Sequence, residues 1–252
     1  MVKKLIKYEL LSYFRSVWPI TITAAALTLI AALMYYTYQY AVFVFLSWSL
    51  FVLMFYVFIA VILGGIAKRF RKSMFSEEGY MTFSIPATSA QLIFAKMVAA
   101  FLLWLYAILL FLICSVIFSL IAGNASYDKE VLYWKIILEE LVYSAQSNGL
   151  LFFENIVYFF ALSVFFIIYL FMGICFGQLF QSRKNLMTVL FFIILFYLFT
   201  LLYPHLYKVI DLLYRLNKHV SMLVKIIFFM LLSVTCFFIV RYFISRRLNL
   251  TA

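Results

Sequence analysis

Long apolar runs separated by short polar segments are the dominant pattern along this chain. The longest run without Asp, Glu, Lys or Arg extends from Ser16 to Ala67 and contains 52 residues. A helix needs about 20 residues to cross a bilayer, so this run accommodates two spans joined by a turn near residues 36–40. Later runs give four more spans, the last of them continuing across Lys225. The pattern predicts six spans, at about residues 17–36, 41–66, 97–121, 155–180, 186–203 and 223–243.

The amino-acid composition also indicates a membrane protein. Hydrophobic residues make up 68% and charged residues 12%, whereas soluble domains average roughly 45–50% and 25%. A transmembrane β-barrel is excluded because its strands alternate polar and apolar residues, and these runs do not alternate. We therefore predict an all-α integral membrane protein, with residues 1–252 forming a single transmembrane domain.

The positive charges are unevenly distributed between the segments that join the spans. With the N-terminus on the inside, fourteen of the 20 Lys and Arg residues lie on the cytoplasmic side, and six lie outside. This split fits the positive-inside rule and predicts that both termini are cytoplasmic. The net charge of +11 is then explained by topology and by attraction to anionic membrane lipids, and no nucleic-acid partner is required.

Residues 1–16 combine apolar side chains on one helical face with several lysines. This spacing predicts an interfacial helix that lies on the cytoplasmic leaflet before the chain enters the membrane at Pro19. A simple positively charged anchor is the alternative.

Two outer segments interrupt the spans. Residues 122–154 form the longest extramembrane piece, and their centre predicts an amphipathic helix that lies on the outer leaflet or caps a cavity. Residues 204–222 are short and apolar, which predicts a re-entrant stretch before span six. At the outer mouth of span four, Glu154 is a candidate for the cargo path, with Lys225 as its partner, unless both side chains extend to water.

The chain carries none of the familiar catalytic patterns. It has neither a GxxxxGK[ST] nor a GxGxxG motif to hold a nucleotide, and its two histidines lie outside any HExxH helix. Cys114, Cys175 and Cys236 fall inside predicted spans without CxxC spacing, which favours buried, inert thiols. We therefore expect no enzyme activity, no cofactor and no metal in this chain.

Residues 68–96, between spans two and three, are the most informative segment. A basic cluster at 68–72 precedes the polar sequence Glu77-Glu78-Gly79-Tyr80-Met81-Thr82-Phe83-Ser84-Ile85-Pro86, and Thr88 or Ser89 is placed to cap the next helix. Two short helices around a turn and an ordinary solvated loop are both compatible with this spacing. In either case, the acid pair and the aromatics suit a surface that binds another protein.

This segment resembles the cytoplasmic segment of ABC-2 type ABC-transporter permeases from Gram-positive bacteria. Members commonly contain an acidic residue, Glu-Gly-Tyr, a hydrophobic residue and Thr-Phe-Thr-hydrophobic-Pro, followed by Gln-Leu and Lys. Here Gln91-Leu92 and Lys96 occupy the last positions. The layout with an N-terminal interfacial helix, six spans and a re-entrant stretch is also similar, although many members have a shorter loop where this chain has residues 122–154.

The resemblance implies a coupling helix that docks on a separate ATP-binding subunit, with Glu77, Glu78, Gly79, Tyr80 and Phe83 at the contact. It further implies two ATP-binding subunits carrying ATP and Mg, and a second permease chain that is either identical or a sister. The expected function is export of an amphipathic cargo, such as a peptide, lipid or hydrophobic drug, across the bacterial cytoplasmic membrane. Antimicrobial-peptide export or immunity is one form of it. A non-transporting membrane scaffold or sensor subunit that recruits a cytoplasmic partner is the alternative.

Overall fold

Six long helices account for almost all of the computed structural model. It describes residues 2–37, 41–76, 79, 87–123, 142–143, 146–180 and 183–249. The helices, listed in chain order, are α1 (Val2–Thr37), α2 (Ala41–Phe75), α3 (Ser89–Gly123), α4 (Gly149–Gly177), α5 (Lys184–Leu216) and α6 (Lys218–Asn249). The all-helical class predicted from the sequence is confirmed.

Five of these helices are long and apolar enough to cross a membrane, by length and composition. In α5 the described apolar part is shorter, Asn185–Ile194. Many large apolar side chains face outward, including Phe45 at 73% and Trp18 at 61% exposure. A soluble monomer rarely exposes so much apolar surface, so the chain is a multi-pass membrane protein.

The helices extend beyond the predicted spans. α1 contains 36 residues, a length of about 54 Å at 1.5 Å per residue, and it runs without interruption through Pro19. The predicted interfacial helix and the first predicted span therefore belong to one helix. A proline is tolerated at such a position because neighbouring helices and local adjustments satisfy the freed backbone group.

Residues 204–222, predicted to be re-entrant, belong to two continuous helices that meet at one residue. α5 runs through Pro204 to Leu216, and α6 begins at Lys218. Asn217 joins them: its side-chain oxygen accepts a hydrogen bond from the His219 amide at 2.9 Å, and its carbonyl accepts one from the Ser221 amide at 3.2 Å. The helix predicted at the centre of 122–154 lies outside the described residues.

Buried side chains repeat at helical spacing and face the bundle interior. In α1 they are Tyr13, Val17, Thr21, Ala24, Thr28, Ala31, Ala32 and Tyr35. The alanines allow close approach of a neighbouring helix. In contrast, α4 is buried on nearly every side from Ile167 to Cys175, which makes it the central helix.

The bundle consists of two three-helix halves. α1 packs against α2 and α3, while α4 packs against α5 and α6, with lighter contacts from α4 to α2 and α3. Phe70 of α2 stacks on Phe171 of α4 with ring centroids 4.0 Å apart, and both side chains are 0% exposed. This stack is a central contact between the halves.

Candidate functional site

One end of the bundle collects the helix termini that flank the 68–96 segment. Contacts between helices place the starts of α1, α3 and α5 there, together with the ends of α2, α4 and α6. We call this the basic end, because Lys68, Arg69, Arg71, Lys72 and Arg183 all lie there. The other end is called the opposite end below.

Glu9 connects three helices at the basic end. One of its carboxylate oxygens accepts a hydrogen bond from Arg69 Nε of α2 at 3.3 Å. The other contacts Lys96 Nζ of α3. The Lys96 side chain is only 3% exposed and that of Glu9 is 14% exposed, while Arg69 is more open at 31%. The Glu9–Lys96 contact is therefore the less solvent-exposed of the two, and it joins α1 to α3.

The start of the sequence-predicted contact segment is also fixed to α2. The Gly79 amide donates a hydrogen bond to the Ser76 carbonyl at 2.8 Å, and Gly79 is buried. A Cβ added at Gly79 would lie 3.2 Å from the carbonyl oxygen of Met74. The chain therefore folds back onto the last turn of α2, and a side chain at position 79 would press on backbone that moves little.

The predicted cap of the next helix is confirmed, and it is provided by Thr88. Its hydroxyl oxygen accepts a hydrogen bond from the Gln91 amide at 3.3 Å, and its own amide donates to the Gln91 side chain at 3.1 Å. This reciprocal pair is a capping box, which satisfies two amides that the helix itself leaves unpaired. It sets the direction in which the chain leaves residues 77–86 and enters α3.

Of the five residues predicted to contact an ATP-binding subunit, the structure describes Gly79. The other four, Glu77, Glu78, Tyr80 and Phe83, lie outside the described residues. The structure does describe the flanking helices: α2 ends at Phe75, α3 begins at Ser89, and Glu9 contacts both from α1.

An open cavity of about 820 Å³ lies at the basic end. Its lining residues come from the end of α2, the α4–α5 connection and the start of α5. They are Lys68, Arg71, Lys72, Phe75, Ser76, Gln178, Arg183 and Asn185. Arg183 has a φ of 57°, a left-handed conformation that costs a non-glycine residue on the order of 1 kcal/mol.

Glu154, the residue predicted on the cargo path, is buried at the opposite end with 8% exposure. Its carboxylate oxygens lie 3.0 and 3.1 Å from Nδ1 of His219, the second residue of α6. The sequence left open whether Glu154 pairs with Lys225 or both side chains extend to water, and the structure gives Glu154 a histidine partner where α4 and α6 begin.

Glu9, Arg69 and Lys96 form what we call the Glu9 cluster. The sequence analysis did not predict it and treated the three residues as separate surface charges. Two signals were available: Glu9 is the single acid in the basic N-terminal segment, and Lys96 directly precedes an apolar run. Neither signal identifies the partners, which are 60 and 87 residues apart along the chain.

The three cysteines are buried, as predicted. Within the described ranges, no group of three His, Cys, Asp or Glu side chains is arranged to hold a metal ion.

Comparisons with protein-family models, with curated proteins and with solved structures gave no match for this chain.

Proposed function

We propose that this chain is the membrane-spanning subunit of an ATP-driven ABC-2 type exporter of the bacterial cytoplasmic membrane. Two copies of a separate ATP-binding subunit, carrying ATP and Mg, supply the energy, and a second permease chain completes the transport unit. The chain itself performs no catalysis. It moves an amphipathic cargo, such as a peptide, a lipid or a hydrophobic drug.

The observation that carries this proposal is the Glu9 cluster, which joins α1 to the two helices that flank residues 77–86 in the sequence. A transport subunit driven from outside must pass a displacement at one cytoplasmic segment into several spans together. α2 and α3 receive it directly because they flank the segment, and Glu9 passes it to α1 through Arg69 and Lys96. Close-packed helices shift as units rather than deforming, so these three helices move together.

The local geometry around Gly79 and Thr88 supports the same proposal. Gly79 is hydrogen-bonded to Ser76 and lies against the carbonyl of Met74, while Thr88 caps α3. Both ends of the contact segment are thus attached to helix termini rather than to long flexible linkers. A force applied at Glu77, Glu78, Tyr80 or Phe83 reaches α2 and α3 within a few residues.

Topology follows from the same assignment. We propose six spans, with α5 as the fifth and both termini in the cytoplasm, so that the basic end faces the ATP-binding subunits. The concentration of Lys and Arg at this end supports that orientation through the positive-inside rule.

The contact that we relate to the cargo lies at the opposite end of the bundle. Glu154 and His219 join α4 to α6 where we place the outer mouth of the path. Around them the bundle is rich in aromatic side chains, such as the Tyr158–Phe229 pair at 5.7 Å. A path with few charges and many aromatic rings suits an amphipathic molecule better than an ion or a sugar. Antimicrobial-peptide export or immunity is the most specific version of this proposal.

Co-purification tests the proposal. The tagged full-length chain is expressed with the products of the genes that flank its own, and the eluate is assayed for ATP hydrolysis. We expect the wild type to retain the ATPase, and Glu78→Lys or Tyr80→Ala to release it or to uncouple hydrolysis from cargo. Tyr56→Ala is a matched control, because Tyr56 is 68% exposed on α2 away from the contact segment.

The result also separates the exporter from the scaffold or sensor alternative. An exporter moves cargo into sealed vesicles only when ATP is hydrolysed, whereas a scaffold binds its partner without such movement. If no ATPase associates with the wild-type chain, the assignment of residues 77–83 as its contact is wrong.

A further inference from the structure

The cavity at the basic end has the composition of an anion site. Among the described residues that line it, Lys68, Arg71, Lys72 and Arg183 are cationic and none is acidic. The like charges of Lys68, Arg71 and Arg183 repel each other, and a bound anion relieves that repulsion. Lys and Arg in the last turns of α2 also complement the helix dipole, but that explanation does not cover Arg183, which lies outside α2.

Arg71 provides a second, independent observation. Its terminal Nη1 donates to the side-chain oxygen of Asn185, which fixes the guanidinium between α2 and α5. Its Nε is buried with no hydrogen-bond partner among the described residues. A buried donor without an acceptor is unfavourable, and guanidinium groups pair preferentially with carboxylate or phosphate oxygens.

The third observation is the shape of the α4–α5 connection. Gln178, only 6% exposed, lines the cavity together with Arg183. Arg183, immediately before α5, has a positive φ. Such strained backbone is found where the surrounding structure fixes a functional geometry. The first residues of α5 thereby reach the cavity, and the start of a helix favours negative charge.

We propose that this cavity binds a phosphate group, either on the headgroup of an anionic phospholipid or on a soluble phosphate. The cavity lies where the apolar parts of α2 and α4 end, at headgroup depth in the proposed orientation. Basic pockets between membrane helices bind phosphorylated headgroups in this way. The site requires no ATP-binding subunit, so it stands or falls separately from the exporter function.

The test uses the purified full-length chain in neutral detergent micelles, with its apparent Tm as the readout. Phosphatidylglycerol, diacylglycerol with the same acyl chains, and inorganic phosphate are titrated separately. We expect phosphatidylglycerol to raise the Tm and diacylglycerol to leave it unchanged, because only the former carries a phosphate.

Variants locate the site. Lys68→Gln and Arg183→Gln each remove one charge from exposed lining positions, and each is expected to raise the half-saturating lipid concentration about ten-fold, the effect of one charged hydrogen bond. Lys208→Gln is the matched control, an exposed cation of α5 outside the cavity lining. Arg71→Gln serves as a third variant, although loss of its contact with Asn185 also affects folding.

The titration with inorganic phosphate distinguishes a soluble phosphate ligand from a lipid headgroup. If inorganic phosphate gives a comparable shift that the same variants weaken, the cavity accepts a soluble phosphate. If only phosphatidylglycerol acts, the ligand is a lipid headgroup. Equal shifts with diacylglycerol, no shift with either phosphate source, or unchanged affinity in both Lys68→Gln and Arg183→Gln would overturn the proposal.

Discussion

Glu9 and Glu154 show what a carboxylate requires in order to lie inside an apolar helical bundle. Glu154 is buried and Glu9 is partly buried. Each contacts a basic side chain from another helix, Lys96 and Arg69 for Glu9 and His219 for Glu154. An isolated charge in such surroundings is strongly unfavourable. The two residues therefore fix which helices meet, one at each end of the bundle.

Replacing Glu9 with Gln tests the first of these contacts. The change keeps the side chain's shape but removes the charge that Lys96, 2% exposed, has as its partner. Breaking a buried ion pair on one side costs on the order of 3 kcal/mol, so we expect a clearly lower Tm in detergent micelles. Unfolding is followed by labelling of the buried cysteines with a thiol-reactive dye.

The double variant Glu9→Gln, Lys96→Met is the control for this prediction. Because it removes both charges together, it is expected to recover much of the stability lost by Glu9→Gln alone. Equal losses in the single and double variants would mean that the contact contributes no coupling between α1 and α3.

Tyr13→Phe, unlike Glu9→Gln, is predicted not to lower the stability of the protein. The Tyr13 side chain is 1% exposed, and its hydroxyl has no hydrogen-bond partner in the described part of the chain. Removing a buried unpaired hydroxyl leaves stability unchanged or raises it by up to about 1 kcal/mol. The same thiol-labelling assay measures it, with the exposed Tyr56→Phe as reference, and a loss of stability would show that the hydroxyl does have a partner.

At the scale of the helices, apolar run length predicted where each element lies but not where it ends. The span predicted at 41–66 is part of a helix that continues to Phe75. Backbone hydrogen bonds continue a helix equally well through Lys68–Lys72, so the end of an apolar run does not end the helix. Thr88 was predictable because the capping box depends only on residues three apart.

The charged contacts were not predictable for a related reason. Glu9, Arg69 and Lys96 become neighbours only after α1, α2 and α3 pack side by side, and run length contains no information about that packing. Likewise, the sequence offered Lys225 as a partner for Glu154, whereas the short turn at Asn217 brings His219 to it instead.

Gly173 is predicted to control the packing of α4 against α5. A Cβ at this position would lie 2.3 Å from the ring of Phe192, which is itself packed against Tyr169 at 5.4 Å. Gly173→Ala therefore forces the ring of Phe192 to move, and overpacking of this kind costs about 1–3 kcal/mol. Thermal unfolding in micelles measures the loss.

Gly64→Ala is the matched control, because no atom lies within 4 Å of a Cβ at position 64. In the middle of α2, alanine is favoured over glycine by up to about 1 kcal/mol, so this variant is expected to be neutral or stabilising. If Gly173→Ala behaved in the same way, the close approach of α4 and α5 would not depend on glycine.

For the whole molecule, the question is how the two three-helix halves stay together. The Glu9 cluster lies within the first half and the Glu154–His219 contact within the second. Between the halves, Phe70 of α2 stacks on Phe171 of α4 with 6° between the ring planes, and α3 contacts α4 through tilted ring pairs. The cavity lined by Arg71 and Arg183 spans the same junction.

Phe70→Ala should therefore weaken the junction between the two halves more than the loss of a contact within one half would. Lipid chains are as apolar as a phenyl ring, so the loss comes from van der Waals packing and the cavity left behind, and it amounts to about 3 kcal/mol for a buried Phe. We expect a lower Tm. If the chain is the exporter subunit proposed above, ATP hydrolysis should also drive transport less efficiently, because displacement of α2 no longer reaches α4.

Phe238→Ala is the control, since Phe238 is 57% exposed and its removal leaves no cavity. Phe70→Leu should recover part of the Tm. If Phe70→Ala lowered the Tm but left transport per ATP unchanged, the stack would hold the halves together without transmitting motion between them.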